Sequence, residues 1–377
     1  MRGPSSSHSA AGCRIGLLAR DLIGGKIENV VIDYDPNGSL VTTHESQGTD
    51  MGLYGGLLGW QPDDENLVNY REAIREAGIN IKVNYKSYDA KHPSTYRINI
   101  SNSQISHNLT AISSGGGMIE IQEIDSAPVS INGDYYELLI YGSDLQKIQA
   151  ALPDSITYDF IKRHKGHRNF IELKSSTAYS PADLKAVEGI AGADFVRCLD
   201  PVLPVLSRKD LEVPFLYCKE MLEQGKNENL NLSELAIKYE SARGGISADA
   251  VIDKMRHIVR IMDRSLQEGL EGTDYEDRIL PNQSAGLKEK MDANSLLDGG
   301  LLNTIILYVT AIMEVKSSMG VIVAAPTAGS CGALPGALFG AAAEMNKNED
   351  EIVKAMLAAG MIGIFISEHS TFSAEEG

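Results

Sequence analysis

A chain of 377 residues with 43% apolar side chains is long enough for two or three domains, each with a buried core of its own. Its 34 Lys and Arg face 51 Asp and Glu, a net charge of −17, and no basic run makes a local cationic stripe; nucleic acid and anionic membrane surfaces are therefore excluded as expected partners. Cys13, Cys198, Cys218 and Cys331 form no CxxC pair and have no histidine at zinc-finger spacing, so neither a disulfide framework nor a zinc knuckle is read.

The chain opens MRGPSSSH with no apolar run after a basic start, which leaves no signal peptide and makes a reducing cytoplasm the expected compartment. Up to about Ser126, helix-like stretches (Cys13–Ile23, Asn66–Ala77) alternate with strand-like ones (Val30–Ile32, Ile79–Tyr85), a mixed α and β pattern. From about Val129 to Pro204 the order reads strand, helix, strand, helix, strand, a small βαβ-type unit of the sort that serves in regulation. After Asp210 the alternation stops. Val251, Met255, Ile258, Val259, Met262, Leu266 and Leu270 fall on one helical face, with Ser247 placed to cap it. Leu301–Met313 and Asp350–Ser367 are apolar with few charges and predict helices surrounded on most sides in an all-α region. The charge-free stretch Ser317–Ala343 is broken by Pro326, Thr327, Ser330 and Pro335, and reads as a buried motif and not a membrane span.

Several polar clusters stand where chemistry is expected. Gly3-Pro4-Ser5-Ser6-Ser7-His8 sets three hydroxyls and an imidazole before a helix beginning near Ala11, where free backbone N–H groups attract a carboxylate or phosphate. Thr42–Asp50 strings polar groups before the apolar run Gly52–Trp60; they line a pocket, or Thr49 or Asp50 caps the following helix. His92-Pro93-Ser94-Thr95 and Ser113–Gly117 follow, the three glycines of the latter allowing either close approach of a ligand or an ordinary turn. Cys331 lies in AAPTAGSCGALPG at or near a helix start, where the helix dipole favours thiolate.

GPSSSH at 3–8, SQGTD at 46–50, HPST at 92–95, SSGGG at 113–117 and AAPTAGSCGALPG at 324–336 together resemble the iron–sulfur-dependent L-serine dehydratases, in the β-then-α order of their single-chain forms. The resemblance implies a serine dehydratase β domain over residues 1–128, a small βαβ-type, ACT-like unit over 129–205, and an all-α catalytic domain, incomplete, over 206–377. It implies a homodimer that converts L-serine to pyruvate and ammonia with a 4Fe-4S cluster, one iron open to substrate. His8, His92 and Asp50 would be catalytic. Ser5, Ser6, Ser7, Thr49, Ser94, Thr95, Gly115, Gly116, Gly117, Thr327 and Ser330 would bind substrate, and Cys331 would be the first cluster ligand.

Gln47 stands where many members of the family have histidine, and a neutral amide is no base, so His44 or His8 would have to act in its place. STFSAEEG at 370–377 resembles the segment before the family's next cluster cysteine, so the chain as written is expected to lack the later ligands and to be inactive by itself. Two other classes stand beside this one: pyridoxal-phosphate chemistry, for which no lysine has a convincing setting, and amino-acid sensing through the βαβ-type unit without turnover.

Overall fold

The computed structural model describes residues 1–275 and 280–368; the expected ligand-poor segment at 370–377 lies outside them. The chain divides into two compact units, one of Ser7–Asp210 and one of Met1–Ser6 with Leu211–Gly377. The mixed α/β character of the N-terminal part and the helical character of the C-terminal part follow the sequence pattern.

In the Ser7–Asp210 unit, the elements run α1 (Ser9–Ile23), β1 (Asn29–Tyr34), α2 (Leu40–Thr43), α3 (Thr49–Leu58), α4 (Tyr70–Glu76), β2 (Asn80–Tyr85), β3 (Thr95–Ser101), β4 (Ser106–Gly115), β5 (Met118–Ile124) and β6 (Ala127–Ile131). These strands make a six-stranded sheet in the order β2-β1-β3-β4-β5-β6. β1 and β2 pair parallel, with Tyr34 opposite Tyr85, and the remaining neighbours are antiparallel. Period-two burial along β1, with Val30, Ile32 and Tyr34 inward, places the core between the sheet and α1. The expected helix over Asn66–Ala77 is shorter: Glu65–Asn69 is a 3₁₀ turn, entered through Asp64, which accepts from the Asn66 amide.

α1 and α3 lie parallel with their backbones in contact. Cβ atoms built on Gly52 and Gly56 would sit 1.9 Å from the Ser9 carbonyl oxygen and 2.1 Å from that of Cys13, and on Gly12 and Gly16 they would meet the Thr49 and Leu53 oxygens at 2.8 and 2.4 Å. Glycine at four positions, spaced by four on each helix, is what permits this approach.

The second sheet of this unit holds one strand more than the sequence pattern shows. β7 (Tyr136–Gly142), α5 (Leu145–Ala150), β8 (Phe160–His164), β9 (Phe170–Ser175), α6 (Pro181–Glu188) and β10 (Ala193–Leu199) form an antiparallel sheet in the order β10-β7-β9-β8. This is the βαββαβ arrangement of split-βαβ folds, not a βαβαβ unit. β8 escapes sequence reading because it is an edge strand carrying Lys162 and Arg163, mostly exposed.

The other unit is helical: α7 (Cys218–Glu228), α8 (Leu232–Gly244), α9 (Ala248–Glu271), α10 (Ser284–Asp292), α11 (Leu301–Ser317), α12 (Ala333–Glu344) and α13 (Glu349–Glu368). Ser247 caps α9 as its pattern requires, its side chain accepting from the Ala250 amide at 3.2 Å. Val259, Met262 and Leu266 of α9 pack with Ala311, Ile312 and Val315 of α11 in one core. Neither α11 nor α13 is covered on most sides as expected: Leu302, Ile306, Ile362 and Ile366 are exposed. Residues Met1–Ser6 join this unit through a bridge between Arg2 and Val321 and a bond from the Gly3 amide to the Gly320 oxygen at 3.1 Å. No helix among the described residues is long and apolar enough to cross a membrane.

Candidate active site

His8 forms the N-terminal boundary of α1 and is buried. Its Nε2 lies 3.0 Å from Thr43 Oγ1, and Thr43 donates its own proton to the Ser39 oxygen at 2.7 Å. Thr43 is therefore the acceptor and His8 Nε2 the donor, which leaves the neutral ring its lone pair on Nδ1.

One turn on, His44 and Asp50 face each other across a loop closed by the Asp50 amide on the His44 oxygen at 3.0 Å. Neither Thr49 nor Asp50 caps α3: the cap is Gly48, at φ +85°, a left-handed conformation suited to glycine. Both side chains are thereby released for other work. Asp50 Oδ2 accepts from His44 Nδ1 at 2.9 Å, while Oδ1 and the Thr49 hydroxyl are buried with no partner among the described residues. With Nδ1 protonated, His44 Nε2 accepts from the Tyr85 hydroxyl at 2.7 Å. The hydrogen bond to Asp50 holds the His44 pKa above its ordinary value, against the opposing effect of burial. The His44 ring lies 5.2 Å from that of Tyr34, whose buried hydroxyl also has no partner among the described residues. Glu45 is beside this pair but exposed.

The other predicted residues of this unit are placed less suggestively. His92 Nδ1 accepts from the Ser94 amide at 3.1 Å and its carbonyl accepts from Thr95 Oγ1, so the HPST loop is largely bonded to itself. Ser94 is buried, with its hydroxyl 3.2 Å from that of Ser39. Gly115, Gly116 and Gly117 form the β4–β5 hairpin, all at positive φ, which accounts for three glycines in a row. The Gly117 oxygen accepts from Arg14 Nη1.

Arg14 and Tyr85 were not singled out from sequence. Burial lowers the Arg14 pKa, and its Nε is buried without a partner among the described residues. A desolvated guanidinium with no carboxylate beside it is costly unless an anion completes it. Its place in the Cys13–Ile23 helical pattern was the available signal, but only the hairpin contact reveals the cation. Tyr85 ends an unremarkable strand, and only the parallel register with β1 brings it to His44.

In the helical unit, Ser6 Oγ accepts from the Ala328 amide at 3.3 Å, with Ser5 in the same segment. Ser330 Oγ donates to the Ala325 oxygen at 3.0 Å and lies 3.2 Å from Thr327 Oγ1, fixing the turn before Cys331. Ser7 falls in the Ser7–Asp210 unit, so the GPSSSH motif is shared between the two. Cys331 precedes α12 as expected, but burial pushes its thiol up to about 11, outweighing the helix-terminal field that was expected to favour thiolate. Its Sγ lies 3.9 Å from Met313 Sδ. Among the described residues no group of three or more His, Cys, Asp or Glu ligand atoms gathers around Cys331. One thiol alone does not hold a 4Fe-4S cluster, which takes a set of cysteine thiolates, so Cys331 could supply one of them.

Residues 227–377 match the family described as serine dehydratase alpha chain. The chain is 35% identical over 144 residues to the probable L-serine dehydratase beta chain of Bacillus subtilis, covering 38% of this chain and 64% of that one. It is 26% identical over 163 residues to the probable alpha chain of the same organism, covering 43% of this chain and 54% of that one. The L-serine dehydratase of Haemophilus influenzae is 25% identical over 396 aligned positions, 99% of this chain and 71% of that protein. The chain thus resembles the L-serine dehydratases in both of its parts, and it spans between half and two thirds of each Bacillus relative.

Proposed function

We propose that this chain carries the residues of a lyase, an L-serine dehydratase that forms pyruvate and ammonia, and that its His44 handles the substrate's Cα proton. The observation that carries the assignment is the buried His44–Asp50 pair with Tyr85 on its outer nitrogen. It answers the substitution of Gln47, because the base function moves three residues along the same loop. A histidine raised by a buried carboxylate is a stronger base near neutral pH. As Nε2 takes the Cα proton, the Tyr85 hydroxyl withdraws, and Asp50 stabilises the imidazolium that forms. Arg14 is assigned to the substrate carboxylate, a role that would supply the anion its buried guanidinium lacks. Cys331 is assigned as one thiolate of an iron–sulfur centre; the described residues do not complete that centre, and no step is routed through it. The division at 1–128, 129–205 and 206–377, an ACT-like character for the middle part, and a homodimer belong to the same proposal.

The test is pyruvate release from L-serine by the native protein, isolated without oxygen, with iron and sulfide counted. His44→Ala is expected to abolish pyruvate with iron content unchanged, and Cys331→Ser to lose iron and pyruvate together. Pyruvate formation without iron, or full activity in the His44→Ala protein, refutes the assignment.

A further inference from the structure

A cleft of about 720 Å³ opens in the Ser7–Asp210 unit at the far ends of α1 and α3, walled on its third side by β10. That volume suits a small metabolite. Three cationic side chains line it, Arg20, Lys26 and Arg197, against one carboxylate, Asp21. Asp21 Oδ2 is already engaged by the Asp200 amide at 3.0 Å. No ion pair is formed by any of the three cations among the described residues. Arg20 donates Nη1 to the Leu57 oxygen at 3.0 Å. Arg197 donates Nε to the Leu22 oxygen at 2.9 Å and Nη1 to the Val196 oxygen at 2.8 Å, and it lies over the Phe195 ring. The bonds to Leu57 and Leu22 reach the last turns of α3 and α1, the third stays within β10, and together they hold each planar fork in one orientation while leaving further N–H groups to give. Burial lowers the Arg197 pKa, against a smaller opposing effect of Tyr141. The floor is kept low by Gly24 and Gly25; a Cβ on Gly24 would strike Arg197 Nε at 2.6 Å.

We infer that this cleft binds a small polyanion, a molecule bearing a phosphate or at least two carboxylates, and that its occupancy is felt at the opposite ends of α1 and α3. Arg20, Lys26 and Arg197 supply the recognition. The two helices supply the connection, since their glycine contacts leave neither free to slide along the other. At 1.5 Å per residue, α1 runs about 22 Å from its start beside His8 to the cleft end, and α3 about 15 Å from Thr49 and Asp50. A ligand bridging β10 to the helix ends would fix the pair against the second sheet. Binding is independent of the proposed chemistry; only the meaning of the distant response rests on that reading, and the readout below needs no activity.

Inorganic phosphate, citrate and, as a neutral control, glucose are titrated into the full chain by calorimetry. Hydrogen exchange of the Thr49–Leu53 amides is followed in parallel. Phosphate or citrate is expected to bind with submillimolar affinity and glucose not at all. Arg197→Ala is expected to weaken binding at least 10-fold. Because Arg197 also caps α1, Lys26→Glu is the second variant: an exposed side chain, expected to weaken binding 3-fold or more with an unchanged melting temperature. Slowed exchange at Thr49–Leu53 with anion bound supports the connection. Absence of binding by both anions at 10 mM (roughly the weakest affinity at which such a site could act), or binding indifferent to both substitutions, overturns the site. Binding with unchanged exchange overturns the connection.

Discussion

Replacing Gly52 with alanine tests whether the contact between α1 and α3 is as close as described. The added Cβ would lie 1.9 Å from the Ser9 oxygen and 3.0 Å from the Cys13 nitrogen, both backbone atoms that cannot rotate aside. Reaching ordinary van der Waals distance requires the helices to part by more than about 1 Å, and a gap of that size forfeits a quarter to a half of each dispersion well along the contact. Overpacking of this kind costs about 1–3 kcal/mol, and the lost contacts raise the total to about 2–4 kcal/mol. The gain from alanine's higher helix propensity returns at most about 1 kcal/mol. For a unit of this size a melting-temperature fall of about 5–10 °C is expected by calorimetry. The cost should be graded along the stripe, largest at Gly52, then Gly56, Gly16 and Gly12, as the clash distances lengthen from 1.9 through 2.1 and 2.4 to 2.8 Å. Gly286→Ala, where the new atom meets nothing within 4 Å, serves as the control and should be neutral or slightly stabilising. A Gly52→Ala protein that melts with its parent, or a series without this order, refutes the helix contact.

Three further outcomes follow from the same geometry. His44 has a raised folded pKa, so its pairing with Asp50 contributes stability that is complete below the unfolded value near 6.5 and is lost as pH rises through the folded pKa; Asp50→Asn should remove that pH-dependent component of the melting temperature, and an unaltered profile would speak against the pair. Glu137 is fully buried and burial pushes it up to about 8 despite Lys174 at 3.0 Å. The folded state then holds a proton the unfolded chain releases between about pH 4.5 and 8, so stability falls across that window, and Glu137→Gln should flatten the slope in urea melts taken at each pH. Arg14→Ala should raise the KM for L-serine 10-fold or more while Arg14→Lys restores part of it; equal KM values in all three proteins would free Arg14 from the substrate carboxylate.

Periodicity made the main elements readable, because β1 and α9 each bury one face with a regular repeat. It failed where burial is one-sided or absent. β8 carries Lys162 and Arg163 on an exposed edge, and the apolar run Leu301–Met313 proves to leave Leu302 and Ile306 in solvent. The polar loop at 42–50 was visible as a candidate site, but the roles inside it were not. Gly48 takes the cap, which leaves Asp50 free to hold His44. Tyr85 reaches His44 from 41 residues away, through a strand register that no local pattern encodes. Arg14 looks like one polar residue in an amphipathic helix until it is seen to be buried without an ion pair among the described residues.

The pairing of Arg2 with Val321 and of Gly3 with Gly320 sets an order on biosynthesis. Residues Met1–Ser6 leave the ribosome well before their partners, which emerge more than 300 residues later, on the order of tens of seconds at ordinary elongation rates. The Ser7–Asp210 unit has all of its own strands by then. Residues Met1–Ser6 must wait without these partners until the helical unit is made, so a chaperone or a fused tag that occupies them during translation would delay the helical unit more than the sheets they adjoin in sequence.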